Sequence, residues 1–197
     1  MDVKAGEKVA ILGPSGCGKS TLLSLLAGLD KPDVGTVEID GQNLAKMSED
    51  ERSQTRSEKL GIVFQQYHLM RNLTAIENVG LPLEILGKTD YADRARISLK
   101  KVGLSHRVAH FPSEMSGGEC QRVAIARALV TRPSLVLADE PSGNLDQKTG
   151  QEVMDMLFSL CEEYKTTLIL VTHNQELANR CDRALLLKNG ALGKLNG

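Results

Sequence analysis

The sequence predicts an α/β fold with a largely parallel central sheet and an inserted α-helical subdomain, on three observations. Short β-branched apolar runs recur at Val9–Leu12, Thr36–Ile39, Ile62–Phe64, Leu135–Ala138, Leu168–Thr172 and Ala184–Leu187, several of them alternating with segments of helical period. Between Val79 and Val130 the strand signal disappears. At the front of the chain a strand, a glycine-rich loop and a helical segment follow in that order, over Val9–Leu12, Gly13–Thr21 and Leu22–Gly28.

Ser48 followed by Glu51 forms a capping box, so a charged surface helix starts there and ends near Gly61. Asp90–Val102 and Glu119–Val130 read as the helices of the inserted subdomain, with Gly103 as the stop of the first. Val153, Leu157, Leu160, Cys161 and Tyr164 recur at helical spacing and give one apolar face to pack on the sheet. These elements divide the chain into a core of residues 1–66 and 131–197 and a helical subdomain of residues 67–130.

At 197 residues the chain has the length of one domain with its own core. A net charge of −1, from 24 basic and 25 acidic residues, lacks the cationic excess that displaces counterions from nucleic acid, which is excluded as the partner. Cys17, Cys120, Cys161 and Cys181 stand far apart without CxxC spacing, so they read as reduced thiols rather than zinc ligands or a disulfide framework. The first residues carry no apolar signal core, and no stretch approaches the roughly 18 apolar residues of a membrane span. The reading is a soluble or peripheral protein.

The loop Gly13-Pro14-Ser15-Gly16-Cys17-Gly18-Lys19-Ser20-Thr21 has the GxxxxGKS spacing of P-loop NTPases. Its glycines let backbone N–H groups turn onto phosphate oxygens, and the following helix adds the positive end of its dipole. Lys19 is placed to reach the β- and γ-phosphates and the Ser20 hydroxyl to ligand Mg²⁺. Cys17 is a spacer, since transfer of a phosphoryl group to water needs no covalent intermediate.

A second apolar run, Leu135–Ala138, ends in Asp139 and Glu140. An inner strand ending in two acids can deliver carboxylates to the phosphate site, Asp139 to the Mg²⁺ and Glu140 to the attacking water. Alone, such a pair is as often a solvated strand end; beside a phosphate loop it reads as chemistry.

Met115-Ser116-Gly117-Gly118-Glu119 precedes this strand and opens a helix, and with it the chain resembles the ABC transporter ATPase family. The resemblance covers almost the whole sequence. It implies that Ser116, Gly117 and Gly118 close on the γ-phosphate of ATP held by a second subunit, in a homodimer that sandwiches ATP and Mg²⁺. It further implies that Gln65 contacts metal and water, that Asp146 in Ser142-Gly143-Asn144-Leu145-Asp146 anchors the loop crossing the dimer interface, and that His173 contacts the γ-phosphate. A separate transmembrane permease is the implied partner, with this subunit peripheral on the cytoplasmic face of the cell membrane. Gly28-Leu29-Asp30 and Leu73–Val79 give the sequence a flavour similar to the lipoprotein-releasing and macrolide-export branch. The apolar residues Tyr67, Leu69, Met70, Leu73, Ile76, Val79, Leu81 and Leu83 fit either the contact with the permease or the core of the subdomain.

Three departures from the family pattern stand out. Only twelve residues precede Gly13 and none is aromatic, whereas the family normally has about thirty more and an aromatic that stacks on adenine. This implies an incomplete N-terminal β-subdomain, and a nucleotide-gated interaction module with little turnover is the alternative function. Met115 replaces the usual leucine, and Glu119 replaces the commoner glutamine, placing a negative charge near where the partner's phosphate docks.

Overall fold

In the computed structural model, which describes residues 1–14 and 16–194, the elements run β1 (Lys8–Leu12), α1 (Lys19–Leu26), β2 (Glu38–Ile39), β3 (Gln42–Asn43), α2 (Glu49–Lys59), β4 (Leu60–Val63), α3 (Ala75–Ile85), α4 (Tyr91–Lys101), α5 (Gly117–Leu129), β5 (Leu135–Asp139), α6 (Gln147–Tyr164), β6 (Thr167–Thr172), α7 (Gln175–Ala178), β7 (Arg183–Lys188) and β8 (Ala191–Lys194). The main sheet has the order β4-β5-β6-β1-β7-β8 and is parallel except for β8, which returns antiparallel along β7.

The inner strands are apolar without interruption because both faces of the sheet are covered. Val136, Ala138, Leu168 and Leu170 face one core, while Leu137, Ile169, Val171 and Ile11 face the other. This is the period-two alternation of a strand, with no polar side left over. The first core also takes in Val79 and Leu83 of α3, Ala95 and Leu99 of α4, Val123 and Ala126 of α5, and Val153, Leu157, Leu160 and Cys161 of α6. The helical segment therefore packs on the sheet through one continuous core. The second core receives Leu23 and Ala27 at the end of α1.

Several boundaries differ from the sequence expectation. Of Thr36–Ile39 only Glu38–Ile39 is a strand, and it pairs antiparallel with β3 in a separate two-stranded sheet instead of joining the main one. The helix α1 starts at Lys19, inside the glycine motif, and Gly28 follows it at φ +65°. The helix α2 ends at Lys59 because Leu60 already opens β4, and its Ser48–Glu51 capping box is present as expected. The helix α5 starts at Gly117, two residues before the expected Glu119.

The segment from Tyr67 to Leu83 contains a helix, α3, that periodicity did not show. Pro82 interrupts the pattern, since it lacks an N–H for the helix ladder, and apolar residues surround it on both sides. A second capping box, Thr74 with Glu77, starts this helix: Glu77 Oε2 accepts from Thr74 N at 2.7 Å and from Thr74 Oγ1 at 2.6 Å. Of the apolar residues with two possible uses, Val79 and Leu83 are fully buried, and Leu69 and Ile76 pack against the same core. Val79 and Leu83 are thus core, Leu69 and Ile76 are partly buried at its edge, and Met70 is exposed.

Candidate nucleotide site

The parallel register brings the carboxyl ends of four strands to one edge, where open α/β sheets bind ligands. Leu12 pairs with Thr172, Asp139 with Val171, and Val63 with Ala138. Gly13 thus follows β1, Glu140 follows β5, His173 follows β6 and Gln65 lies two residues after β4 on the same edge.

Lys19 Nζ donates to Gly13 O at 2.8 Å and to Pro14 O at 2.9 Å, so its ammonium lies across the loop and not out in solvent. Gly13 leaves no room for a side chain: a Cβ there would meet Cys17 Sγ at 2.6 Å and Leu187 O at 2.7 Å. The Cys17 thiol packs with the cluster of Ile11, Leu23 and Leu187, on the protein side of the loop, which supports its reading as a spacer. Gly16 and Gly18 have φ of +78° and +101°, and Thr21 lies exposed in the first turn of α1. Ser15 lies outside the described residues.

Asp139 ends β5 beside this loop. Its carboxyl is pushed above the ordinary range mainly by burial and further by the Glu140 charge, while the Lys19 ammonium and the Ser20 hydroxyl pull it back. That balance describes an acid lacking enough positive charge around it. The oxygen donors Asp139, Ser20 and Gln65 fit Mg²⁺, which takes few protein ligands and completes its shell with water and phosphate oxygens. Among the described residues no group of three His, Cys, Asp or Glu could hold a metal by itself.

Glu140 is the first residue beyond β5 and has a left-handed φ of +43°, a conformation uncommon for a residue with a side chain. Two backbone bonds hold it: Glu140 N donates to Val171 O at 2.9 Å and Gly143 N donates to Glu140 O at 2.9 Å. The carboxylate is largely buried and its Oε2 lies 2.8 Å from Nδ1 of the exposed His173. The next residue, Asn174, caps α7, its Oδ1 accepting from Glu176 N at 2.8 Å and Leu177 N at 3.2 Å. Glu140 and His173 line a cleft of about 360 Å³ open to water.

Gln65 is tied to the loop after Glu140. Its Nε2 donates to Asn144 Oδ1 at 3.0 Å, and Asn144 Nδ2 donates back to Gln65 O at 3.0 Å. Among the described residues the Gln65 amide oxygen accepts no hydrogen bond, which leaves it available to a cation or water. Asp146 caps α6, with Oδ1 accepting from Thr149 N at 3.1 Å, and bonds from Thr149 hold its carboxyl below the usual range.

Ser116 caps α5 reciprocally with Glu119. Ser116 Oγ accepts from Glu119 N at 3.2 Å and Ser116 N donates to Glu119 Oε2 at 2.8 Å. Both glycines that follow are closely approached: a Cβ on Gly117 would meet the Tyr67 hydroxyl at 2.7 Å, and one on Gly118 would meet Thr149 Cγ2 at 2.5 Å, so either side chain would have to shift. The structure therefore brings Lys19, Ser20, Asp139, Glu140, His173 and Gln65 to one sheet edge. It places Ser116, Gly117 and Gly118 in a corner of their own, between the segment after Gln65 and the start of α6. Among the described residues no hydrogen bond joins that corner to the phosphate loop.

Four residues of this neighbourhood were not singled out by sequence as site residues. Asn144 orients Gln65, Tyr67 abuts Gly117, and Arg107 Nε donates to Glu119 Oε1 at 2.9 Å. Arg127 of α5 donates to Tyr67 O at 3.0 Å and His68 O at 2.6 Å, two consecutive residues with φ of +60° and +47°. Asn144, Tyr67 and Arg127 act through partners 50 or more residues away and Arg107 through one twelve residues away in another element, and no spacing rule reports such pairs.

A phosphate loop on β1 beside a strand-end acid pair, with a histidine on the second acid, has the parts of a nucleoside-triphosphate-hydrolysing site. The chain belongs to the ABC transporter family, whose model matches residues 1–143. It is 51% identical over 193 residues to the lipoprotein-releasing system ATP-binding protein LolD of Psychrobacter arcticus, an alignment covering 96% of this chain and 85% of that protein. It is 50% identical over 192 residues to the ABC transporter ATP-binding protein YbbA of Escherichia coli K12, covering 96% of this chain and 84% of the other. A solved dimeric ATP-binding cassette in a post-hydrolysis state, bound to ADP and phosphate, superimposes with a TM-score of 0.88 at 42% identity, over 100% of this chain and 89% of that one. The protein is thus a transport-coupled ATPase subunit. Among the described residues no helix is long and apolar enough to cross a membrane.

Proposed function

We propose that two copies of this chain sandwich two molecules of ATP, and that closure and opening of the pair drive a separate transmembrane permease from the cytoplasmic face of the membrane. The observation that carries the reading is the division of the site into a phosphate edge and a separate signature corner. Lys19 and the loop amides hold the phosphates, and Ser20, Gln65 and Asp139 would hold Mg²⁺, which would neutralise phosphate charge. The helix start at Ser116–Gly118 offers two N–H groups and a hydroxyl to an anion, because the first N–H groups of a helix have no intrahelical acceptor. The ATP that uses them belongs to the second copy.

Glu140 orients and polarises the attacking water. Its bond to His173 holds the carboxylate at the sheet edge and leaves the other imidazole nitrogen to face the γ-phosphate. Cleavage removes the phosphate that both copies grip, so the clamp opens. The likeness to LolD and the dimeric solved cassettes supports this scheme and favours lipoprotein release as the transported task. The test is ATP turnover by the purified chain across a range of protein concentration, with Mg²⁺ and then with a chelator. The expected result is Mg²⁺-dependent turnover that rises more than linearly with protein; a specific activity constant down to the lowest concentration would refute a dimeric active species.

A further inference from the structure

We infer that Arg107 is a positioning residue that neutralises Glu119 and so keeps the signature corner able to accept the phosphate of a second copy. The inference rests on the ATP-sandwich reading above and concerns the feature in which this chain departs from the commoner glutamine.

The Glu119 carboxylate has two partners. One oxygen accepts Ser116 N at 2.8 Å and the other accepts Arg107 Nε at 2.9 Å. Both hold its pKa below the ordinary value, the Ser116 bond more than the arginine, so the side chain is an anion at neutral pH. With 15% of its side chain exposed, the anion is poorly screened by water. It also uses up one of the N–H groups at the helix start, leaving the amides of Gly117 and Gly118 and the Ser116 hydroxyl for a ligand. The Ser116 oxygen already accepts from Glu119 N, so its own proton is free to be donated outward.

A carboxylate one hydrogen bond from a site meant for a triphosphate repels its ligand, and the effective dielectric of a protein surface screens that repulsion less than bulk water does. A glutamine would make the same capping bond through its amide oxygen without that cost. The Arg107 guanidinium cancels the charge where it sits and leaves the capping geometry unchanged. Arg107 reaches Glu119 from the turn between α4 and α5, where its backbone is fixed: Arg107 N donates to Leu104 O and Arg107 O accepts from His110 N, each at 3.0 Å. The next residues of that turn are bound to α3, since Ala75 N donates to His110 O at 2.8 Å and Ile76 N to Val108 O at 3.0 Å. The arginine is therefore presented by a braced turn and not by a free loop.

The test is a double-mutant cycle in Glu140→Gln protein, reading by analytical ultracentrifugation the ATP concentration that half-converts monomer to dimer. Arg107→Gln should raise that concentration on the order of tenfold. Glu119→Gln should leave it unchanged or lower it, and Arg107→Gln with Glu119→Gln should return it to the parent value. Arg107→Lys should retain most of the parent behaviour, and the defect of Arg107→Gln should shrink as salt is raised. The inference is overturned if Arg107→Gln dimerises like the parent, or if its defect persists unchanged when Glu119 is also glutamine, which would mark a purely structural arginine. A Glu140→Gln parent that binds ATP but stays monomeric would instead remove the sandwich reading, and this inference with it.

Discussion

The phosphate edge and the signature corner lie on one chain but are held in place by different forces. At the phosphate edge, position follows from sheet register: β1, β5 and β6 are buried on both faces, and their carboxyl ends set Gly13, Glu140 and His173 within a residue or two of fixed backbone. At the signature corner, position follows from side chains that grip backbone. Ser116 and Glu119 cap each other, Arg127 holds the carbonyls of Tyr67 and His68, and Tyr67 and Thr149 crowd the two glycines. Register is enforced by burial spread over many residues and resists single changes. A corner made of a few polar contacts can be moved by one, which suits the engagement and release of a second copy proposed above.

Breaking each region separately should separate binding from closure. The largest effect is expected from Lys19→Met, which removes the charge-assisted bonds to the triphosphate; at about 1.5–3 kcal/mol per such bond, ATP affinity of the monomer should fall by roughly a hundredfold in a direct titration. Gly118→Val should do the reverse. Its branched side chain collides with Thr149 Cγ2, and overpacking of this kind costs about 1–3 kcal/mol, so hydrolysis should drop by at least tenfold while the monomer still titrates with ATP normally. An equal loss of binding in both variants would erase the distinction between the regions. The smallest effect is Thr74→Ala, which takes one cap from α3 in neither region. It should lower stability by about 1 kcal/mol and the melting temperature by roughly 2–4 °C, leaving nucleotide affinity alone.

The same contrast explains what the sequence disclosed. Strands buried on both faces announce themselves as apolar runs, one of which ends in Asp139 and Glu140; Lys19 was legible from the GxxxxGKS spacing, and His173, at the end of another run, only through the family resemblance. The signature glycines were legible as a motif, but the residues that crowd them, Tyr67 and Thr149, come from 50 and 31 residues away in sequence. Arg107 and Arg127 look like ordinary surface cations until the fold shows a carboxylate and two carbonyls beside them. The helix α3 was hidden by Pro82 and an apolar surround, although its Thr74–Glu77 cap obeys the rule that revealed Ser48–Glu51. The strands β2, β3 and β8 were misjudged or missed because each has only two to four residues and little apolar content.

The central claim is that one chain's phosphate edge meets another chain's signature corner across ATP, with Glu140 as the group that lets the pair come apart. The most direct measurement is sedimentation of Glu140→Gln beside the unaltered chain, with ATP and Mg²⁺, alongside phosphate release from both. The account predicts that the variant binds ATP, accumulates as dimer and releases phosphate at least a hundredfold more slowly, since a positioned base contributes on the order of 10²–10⁴ in rate. Unaltered phosphate release from the variant, or a variant that stays monomeric at saturating ATP, would contradict it.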